Sequence, residues 1–411
     1  MPNFSIPLSG LVASDTALAT ISNNLANLNT TGYKDTTTQF QDMFYQALGT
    51  NGSGDQLQVG GGATVSTIST NFAGGTVQST GVDTDVAITG NGFFVVKNGS
   101  NTSYTRAGSF TQDSSGNLVT PDGYQVMGYP ATNGVVNTNA ALAPISLPQG
   151  MYNPPAATTN ISISANLSSD TAVGGTFTAS PTVYDSLGDA HVLNVTFTRT
   201  STGWSYGATI PSSQITGGTG TATTVASGTL AFDSSGNLTS TTPISVSIPN
   251  LSDGASTLGF KWNLASSSGT GLLTQVAGTA ETNGTGLTGD GNAAGSLTSF
   301  AIGSDGTITG TFTNGTKVLG QVALANFANL QGLTKQGDNN YAATMSSGTA
   351  VIGTPGSSSL GSLTGSALEL SNVEMSQEFS NLIIAERGFQ ANAKSVTTFD
   401  QIAQDTIGLI R

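Results

Sequence analysis

Few side chains in this sequence could perform chemistry, and their types and spacing do not favour catalysis. His191 is the single histidine and cysteine is absent, so we expect neither a histidine-based catalytic triad nor a cluster of histidine and cysteine ligands around a metal. Asp and Glu are scattered, and no pair has a spacing typical of acid–base catalysis. The sequence therefore predicts no enzyme, no cofactor and no metal site, with His191 as a turn or edge residue before a strand.

Two kinds of pattern resemble ligand-binding motifs but lack the required context. Gly284, Gly286 and Gly289 have the spacing of a dinucleotide-binding turn, yet no strand–turn–helix unit surrounds them. One pattern also recurs, as FTQDSSGNLVT at 110–120, LAFDSSGNLTS at 230–240 and FAIGSDGTITG at 300–310. These segments lack the alternate acidic ligands and the distal Glu of a calcium loop. They predict β-hairpins whose turns are closed by Asp, with Gly at positive φ.

The composition excludes several classes of partner. The chain has 411 residues, a net charge of −13 and only ten Lys and Arg, without a basic cluster that could bind nucleic acid. No stretch approaches the ~18 apolar residues of a membrane span, so we expect no membrane insertion. The first basic residue is Lys34, which leaves no positively charged region of a secretory signal. This indicates a cytoplasmic protein or one exported without a cleaved signal peptide.

Both ends of the chain carry apolar residues with heptad spacing, which is typical of helices with one apolar seam. At the N-terminal end these residues are Phe4, Leu11, Leu18, Ile21, Leu25 and Leu28. At the C-terminal end they are Leu368, Met375, Phe379, Leu382, Phe389, Val396, Ala403 and Ile410. A helix over 368–410 would be roughly 65 Å long and could not bury its seam alone. We interpret the residues as a polymerisation interface that joins the helices to each other and to other copies of the chain, although ordinary core helices have similar patterns.

The middle of the chain, from about 70 to 360, predicts β structure. Apolar and polar residues alternate around Ile161, Ile163 and Ala165, and again around Val195 and Val246. This period of two indicates half-buried strands in antiparallel sheets. The Gly-rich segments 49–62 and 353–366 have the composition of linkers.

Five segments of the chain are recognisable as motifs. Two are terminal, SGLVASDTALATISNNLANLNTTGYK at 9–34 and LELSNVEMSQEFSNLIIAERGFQANAKSVTTFDQI at 368–402, and three lie between them, ITGNGFFVV at 88–96, YTRAGSF at 104–110 and TPDGYQVMGYP at 120–130. The terminal segments resemble the two terminal signatures of the flagellar rod and hook family, and the other three resemble its shared β region. The motif residues are Ser22, Asn23, Asn24, Ala26, Asn27, Gly32, Tyr33, Gly90, Gly92, Phe93 and Phe94. TVYDSLGDAH at 182–191 and VLGQVALANFANLQGL at 318–333 resemble the hook branch rather than the rod branch.

The resemblance implies an α+β multi-domain architecture. Residues 1–34 with 361–411 would form a coiled-coil-like inner helical domain, and 35–70 would be a linker. Residues 71–146 with 283–360 would form a middle domain and 147–282 an outer inserted domain. Both of these outer domains would be mainly antiparallel β structure nested in the middle of the chain.

The resemblance also implies a structural function. The chain would polymerise with itself into the flagellar hook, a curved, flexible, hollow tube that transmits motor torque from rod to filament. Its location would be extracellular, after export by the flagellar type III apparatus without a cleaved signal peptide. The implied partners are this export apparatus and other axial proteins of the flagellum, namely the distal rod, the hook–filament junction and the hook cap.

Alternatives remain open at this point. The chain could be a distal rod subunit with a large insertion, or a monomeric secreted β-sandwich module that binds carbohydrate in a groove lined by Trp204, Tyr206 and Trp262. The amides of Asn23, Asn24 and Asn27 could fix the register of a helix interface or form a polar face towards solvent or a channel. We expect the terminal helices to be marginal alone and to become ordered on assembly.

Overall fold

A computed structural model describes residues 4–148, 150–357 and 359–408 of the chain. These residues divide into two compact units. The first unit comprises the described residues of 1–149, 299–310 and 317–411, and the second comprises 150–298 and 311–316. Helix α1 spans Ser5–Ala26 and helix α2 spans Met375–Gly408, and the structure between them is mainly β. The prediction of a β-rich chain with terminal helices is confirmed.

The strands follow one another closely. Those before the second unit are β1 (Thr36–Asp42), β2 (Gln46–Thr50), β3 (Gln56–Val59), β4 (Ala63–Thr70), β5 (Val77–Ser79), β6 (Val86–Thr89), β7 (Phe93–Asn98), β8 (Asn101–Thr105), β9 (Thr111–Gln112), β10 (Leu118–Val119), β11 (Gln125–Thr132), β12 (Val135–Val136) and β13 (Ala143–Pro144). The next are β14 (Tyr152–Asn153), β15 (Asn160–Asn166), β16 (Thr176–Ala179), β17 (Thr182–Tyr184), β18 (Ala190–Val192), β19 (Asn194–Arg199), β20 (Trp204–Pro211), β21 (Ala222–Leu230), β22 (Ile244–Ile248), β23 (Leu258–Asn263), β24 (Leu273–Thr274) and β25 (Glu281–Gly289). The last are β26 (Gly295–Ile302), β27 (Thr307–Phe312), β28 (Gly315–Val322), β29 (Leu324–Asn326), β30 (Thr334–Gly337), β31 (Asn340–Ala342), β32 (Val351–Gly353), β33 (Ser362–Gly365) and β34 (Ala367–Glu369).

The first unit is built around β7, which lies between β11 and β8 in an antiparallel sheet. Both faces of β7 are buried because alternate side chains enter two different cores. Phe94 and Val96 pack in one core with Leu118, whereas Phe93 and Val95 pack in the other. This accounts for the continuous apolar run FFVV of the motif, since a strand that is half exposed would alternate with polar residues.

The second unit has two main sheets that share one core. One sheet has the order β22–β23–β15–β24, and the other has the order β16–β19–β20–β21. The predicted alternation is confirmed, because Ile161, Ile163 and Ala165 of β15 are buried in this core. The pairs β15–β23 and β15–β24 are parallel, unlike the antiparallel pairs that alternation led us to expect.

The groove of the carbohydrate-binding alternative is contradicted by burial. Trp204 and Trp262 are 1% and 0% exposed and belong to the core of the second unit. Tyr206 packs edge-on against Trp262, with ring centroids 5.2 Å apart. The two tryptophan rings therefore stabilise the core and offer no surface to a sugar, and the half-buried Tyr206 does not form an aromatic groove with them.

Helix α2 begins later than predicted. Leu368, placed in the helix by its heptad spacing, lies in β34, which pairs with β5. The preceding strand β33 pairs with β6, so this segment obtains its backbone hydrogen bonds from strands far away in the chain. The helix of 34 residues is thus about 51 Å long. Leu28 was also predicted as part of a helical seam, but α1 ends at Ala26 and Leu28 follows the helix.

The segment 35–70, predicted as a linker, is regular. Strands β1 and β4 form an antiparallel ladder with an irregularity at Gln39 and Phe40, and β2 and β3 form a second ladder. We call residues 36–70 the arm. Its β-branched Thr and Val residues favour extended backbone over the flexible coil expected from glycine content alone.

The recurring Asp-containing turns are as predicted. Oδ1 of Asp113 accepts hydrogen bonds from the backbone amides of Ser115 and Asn117, both at 2.8 Å. Asp233 makes the equivalent bonds in the second unit. The glycine that follows Asp113 in this turn, Gly116, has φ +80°, a conformation that side chains rarely adopt.

Candidate functional site

The two terminal helices pack against each other in antiparallel orientation through small residues. The rings of Phe4 and Phe399 lie 6.0 Å apart at one end. Further along, Gly10 faces Asn392, and Ser14 faces Gly388. Glycine and serine are small enough to allow close approach of the two backbones. The long apolar side chains of both helices remain half-buried or exposed in this contact.

The predicted interface residues fall into two groups. Half-buried are Leu11, Leu18, Ile21, Leu25, Leu28, Leu368, Leu382, Phe389, Val396 and Ala403. Exposed are Phe4, Met375 and Phe379, while Ile410 lies outside the described residues. The predicted interface residues do not include a second set of exposed apolar residues, Leu8, Val12, Ile383, Ile384, Ile402 and Ile407.

Asn24 has a role that neither sequence interpretation anticipated. Its side chain is fully buried, its Nδ2 donates to the carbonyl of Thr36 at 2.8 Å, and its Oδ1 accepts from the Thr36 amide at 3.0 Å. The hydroxyl of Tyr33 also donates to Oδ1 at 3.1 Å. Asn24 thus fixes the turn from α1 into β1 within one chain, whereas Asn23 is exposed and Asn27 half-buried.

A buried ion cluster joins both ends of the chain to the β structure of the first unit. Nζ of Lys34 lies 2.6 Å from Oε1 of Glu369, and Nε of Arg106 lies 3.1 Å from Oε2 of the same carboxylate. All three side chains are at most 3% exposed. Burial lowers the pKa of Lys34, and the charge of Glu369 opposes that change. Such a cluster requires each partner, because removing one leaves a buried charge unpaired.

Arg106 extends the cluster to the glycine motif. Its Nη1 donates to the carbonyls of Gly90 and Gly92 at 2.8 and 2.7 Å. Both glycines have positive φ, +103° and +126°, so a side chain at either position would be strained. Gly32 has φ +68°, and a Cβ there would lie 2.6 Å from the backbone nitrogen of Ala107. These motif glycines therefore shape the junction around Arg106.

The remaining motif residues divide by burial. Tyr33, Phe93 and Phe94 are buried, and Ser22 and Ala26 are exposed on α1. Lys34, Arg106 and Glu369 lie within the family motifs, but the sequence alone predicted no role for them. The scarcity of basic residues could have identified Arg106, because the chain has only ten Lys and Arg and Arg106 is the single charged residue of the motif YTRAGSF.

A groove of about 450 Å³ lies between α1, β1 and α2. Its wall includes Ala17, Ile21, Phe40, Ala385 and Glu378. Glu378 is only 6% exposed, and burial raises the pKa of its carboxyl group although Asn24 opposes the change. The groove therefore combines an apolar lining with one buried acidic group.

The arm exposes an unusual number of large apolar side chains. Phe44 is 98% exposed, and Leu48 and Tyr45 are 65% and 57% exposed. Their exposure on a regular two-ladder structure is typical of a surface that becomes covered on association.

The second unit contains a group that could hold a cation. Ligand atoms of Asp185, His191 and Asp253 lie within 4.8 Å of one another. Nε2 of His191 is 3.0 Å from Oδ2 of Asp185, and Nδ1 lies 3.1 Å from Oε1 of Gln214. Burial raises the pKa of the Asp185 carboxyl group. The hydrogen bonds to it, first that with His191, outweigh this effect and bring the pKa from the usual 3.8 down to about 2. The presence of a single histidine was therefore not a sufficient reason to expect no metal site, because two carboxylates complete the set of ligand atoms.

His191 itself lies in β18 and is 4% exposed, so it is a buried strand residue. Among the described residues, no helix is both long and apolar enough to cross a membrane.

Four family models match the chain along its length. They are described as flagella basal body rod protein (residues 6–34), flagellar hook protein FlgE/F/G D1 domain (87–166), flagellar basal body protein FlaE D2 domain (160–314) and flagellar basal body rod FlgEFG protein C-terminal (364–409).

Similar proteins carry the name flagellar hook protein FlgE. That of Salmonella typhimurium is 38% identical, over 99% of this chain and 100% of its own length. That of Escherichia coli K12 is 37% identical, over 99% of each chain, and that of Borreliella burgdorferi is 32% identical, over 98% of each. A crystal structure of Helicobacter pylori flagellar hook protein FlgE2 aligns with a TM-score of 0.49 and 15% identity, over 71% of this chain and 100% of that one.

Proposed function

The chain belongs to the flagellar hook protein family and is a structural subunit of the hook, and from this premise we propose that the terminal helices and the arm are the surfaces through which copies assemble. The observation that carries the proposal is the exposure of large apolar side chains on both. Ile383 and Ile384 of α2 are 58% and 71% exposed, and Phe44 of the arm is 98% exposed. Association would remove this surface from water.

The distribution of charge supports the same role. α1 carries a single charged residue, Asp15, so repulsion between copies is weak along this helix. The contact between α1 and α2 within one chain includes small residues such as Gly10 and Gly388. It leaves a set of large apolar side chains exposed, namely Leu8, Val12, Ile383 and Ile384. We therefore infer that the predicted interface residues Met375 and Phe379 contact neighbouring copies, as do Leu8 and Val12.

The buried ion cluster would give this assembly a mechanical connection. Lys34 lies between the end of α1 and the start of the arm, and Glu369 ends β34, shortly before α2. The carboxylate of Glu369 contacts both Lys34 and Arg106, and this connects the segments next to both helices to the β structure of the first unit. Torque that reaches the helices would pass to the β structure through this cluster.

Finer properties of the family are further proposals for this chain. We infer a nested domain order with a coiled-coil-like inner helical domain, and the division 1–34 with 361–411, 71–146 with 283–360, and 147–282 stays a prediction. We also infer contacts with the distal rod, hook–filament junction and hook cap proteins, and export through the flagellar apparatus to the cell exterior without a cleaved signal peptide. Support comes from family membership.

Electron microscopy of the purified full chain under salting-out conditions tests the proposal. We expect tubes from the full chain and none from a version that comprises residues 32–373, which lacks α1 and α2 but keeps Lys34, Arg106 and Glu369. In the full chain, Ile383→Ser should raise the critical concentration for polymerisation several-fold. Val135→Ser is the matched control, because Val135 is 70% exposed but lies outside the helices and the arm. Tubes formed by residues 32–373 would contradict the proposal.

A further inference from the structure

We propose that the groove between α1, β1 and α2 receives the side chain of Arg387 from a second copy of the chain, and that the guanidinium pairs with Glu378. This inference rests on the proposed function, because it requires that copies meet through their terminal helices. It names two residues that pair across that contact, and it specifies that one face of α2 in one copy meets the opposite face of α2 in the next.

The first observation is an unsatisfied carboxylate. Glu378 is 6% exposed, and its Oε2 atom has no hydrogen-bond partner among the described residues. A buried carboxylate oxygen without a donor is unfavourable, since it has lost water and gained nothing in exchange. A donor supplied from outside the chain would remove this penalty, and the groove beside Glu378 is the space through which it can enter.

The second observation is the supply of cations. α1 contains no Lys or Arg, and the described part of α2 contains only Arg387 and Lys394. Arg is suited to a partly desolvated site, because its guanidinium is weakly hydrated and presents several donors in one plane. The methylene groups of Arg387 would contact Ala17, Ile21 and Ala385, which line the groove.

The third observation is the placement of donor and acceptor on α2. Arg387 follows Glu378 by nine positions, which corresponds to about 2.5 helical turns. The two side chains therefore project from opposite faces of the same helix and cannot pair within one copy. Between copies, however, one face of each helix can meet the opposite face of the next. This arrangement is heterologous, and repeated heterologous contacts produce open polymers rather than closed dimers.

The test uses the critical concentration for polymerisation of the full-length protein, measured by sedimentation of tubes. Glu378→Gln and Arg387→Gln should each raise it about tenfold, the effect of losing one charged hydrogen bond. Glu386→Gln is the matched control for the carboxylate, because Glu386 is exposed on the same helix. Lys394→Gln is the control for the cation. Both controls should stay within about twofold of the unchanged chain.

The double variant Glu378→Gln with Arg387→Gln distinguishes a direct pair from two separate effects. If the residues pair, the second substitution adds little, and the double variant polymerises about as well as either single one. Multiplied effects would overturn the proposal, as would a rise for Lys394→Gln in place of Arg387→Gln. Arg387→Gln should also leave the thermal unfolding of the unassembled chain unchanged, whereas a merely structural role would lower it. Failure of the unchanged chain to polymerise would contradict the proposed function instead.

Discussion

The Nζ atom of Lys34 lies 2.6 Å from Oε1 of Glu369 with both side chains fully enclosed, although 335 positions separate the residues in the chain. The same carboxylate oxygen accepts a hydrogen bond from the backbone amide of Gly75 at 2.9 Å. Arg106 contacts both oxygens of the carboxylate, with Nε 3.1 Å from Oε2 and Nη2 donating to Oε1 at 3.2 Å. The carboxylate of Glu369 thus connects the segment that follows α1 with the segment that precedes α2.

Replacement of this acidic group should destabilise the first unit strongly. Glu369→Gln leaves two buried cations without their counter-charge, so we expect a loss of about 3 kcal/mol in the free energy of unfolding. Urea unfolding followed by far-UV circular dichroism measures this. Glu374→Gln is the control, because Glu374 is exposed nearby and should change the value by less than about 0.5 kcal/mol. Equal stability of both variants would mean that the cluster contributes nothing.

Loss of the Asn24 amide should open the turn between α1 and β1. Asn24→Ala removes the partner of both backbone groups of Thr36, and we expect a cost of about 2 kcal/mol. Hydrogen exchange of the Thr36 amide should become faster, since that amide donates to Asn24 Oδ1. Asn23→Ala, at an exposed position, should leave this exchange unchanged. Unaltered exchange in Asn24→Ala would show that the turn forms without the amide.

Two glycines of the helix contact should respond differently to alanine. At Gly388 the nearest atom to a new Cβ is Ser14 Oγ at 3.5 Å, whereas at Gly10 the Asn392 side chain lies 2.8 Å away. Gly388→Ala should therefore stabilise α2 by about 0.5–1 kcal/mol, the usual gain of alanine over glycine in a helix. Gly10→Ala should show a smaller gain or a loss, because Asn392 must move. Thermal unfolding of the full chain compares them, and the opposite ranking would refute the close contact.

The exposed apolar side chains of the arm should contribute to assembly without contributing to the fold of the single chain. Phe44→Ser removes a ring that is 98% exposed, so the unfolding curve of the unassembled chain should not change. Covering that ring in a polymer would contribute about 1.5–3 kcal/mol, and its loss should raise the critical concentration at least tenfold. Val135→Ser provides the control at an exposed position of β12. Normal polymerisation of Phe44→Ser would exclude the arm from the interface.

Acid should weaken the second unit through Asp290. Burial raises the pKa of this carboxyl group, but the hydrogen bonds from Thr159 and Asn160 outweigh burial and bring the pKa down to about 2. Because the pKa is lower in the folded state than the usual 3.8, the contribution is complete above pH 4 and disappears as the pH falls towards 2. Asp290 is exposed, so we expect only about 1 kcal/mol at neutral pH.

Asp290→Asn isolates this contribution. The variant should be less stable than the unchanged chain at pH 7, and the two should converge near pH 2. Tryptophan fluorescence during urea unfolding is a suitable readout, because both tryptophans lie in the core of the second unit. A constant difference between the two proteins over this pH range would contradict the assignment.

Much of the local structure could be predicted from sequence because it depends on neighbours in the chain. Heptad spacing identified α1 and most of α2, and alternation identified β15. The turns at Asp113 and Asp233 were predictable for the same reason, since each Asp bonds to amides two and four residues later. The start of α2 was not predictable, because residues 362–369 pair with β6 and β5, which lie almost 300 positions earlier.

The sequence by itself therefore determined the family motifs, the helical ends and the β-rich middle, since periodicity and turn chemistry act over a few residues. Only the tertiary structure decided that Lys34, Arg106 and Glu369 form one buried cluster, that Asn24 bonds to Thr36, and that Glu378 lies in a groove without a full set of partners. The physical reason is that the burial of a charge or an amide depends on which distant segments surround it, and periodicity contains no information on that.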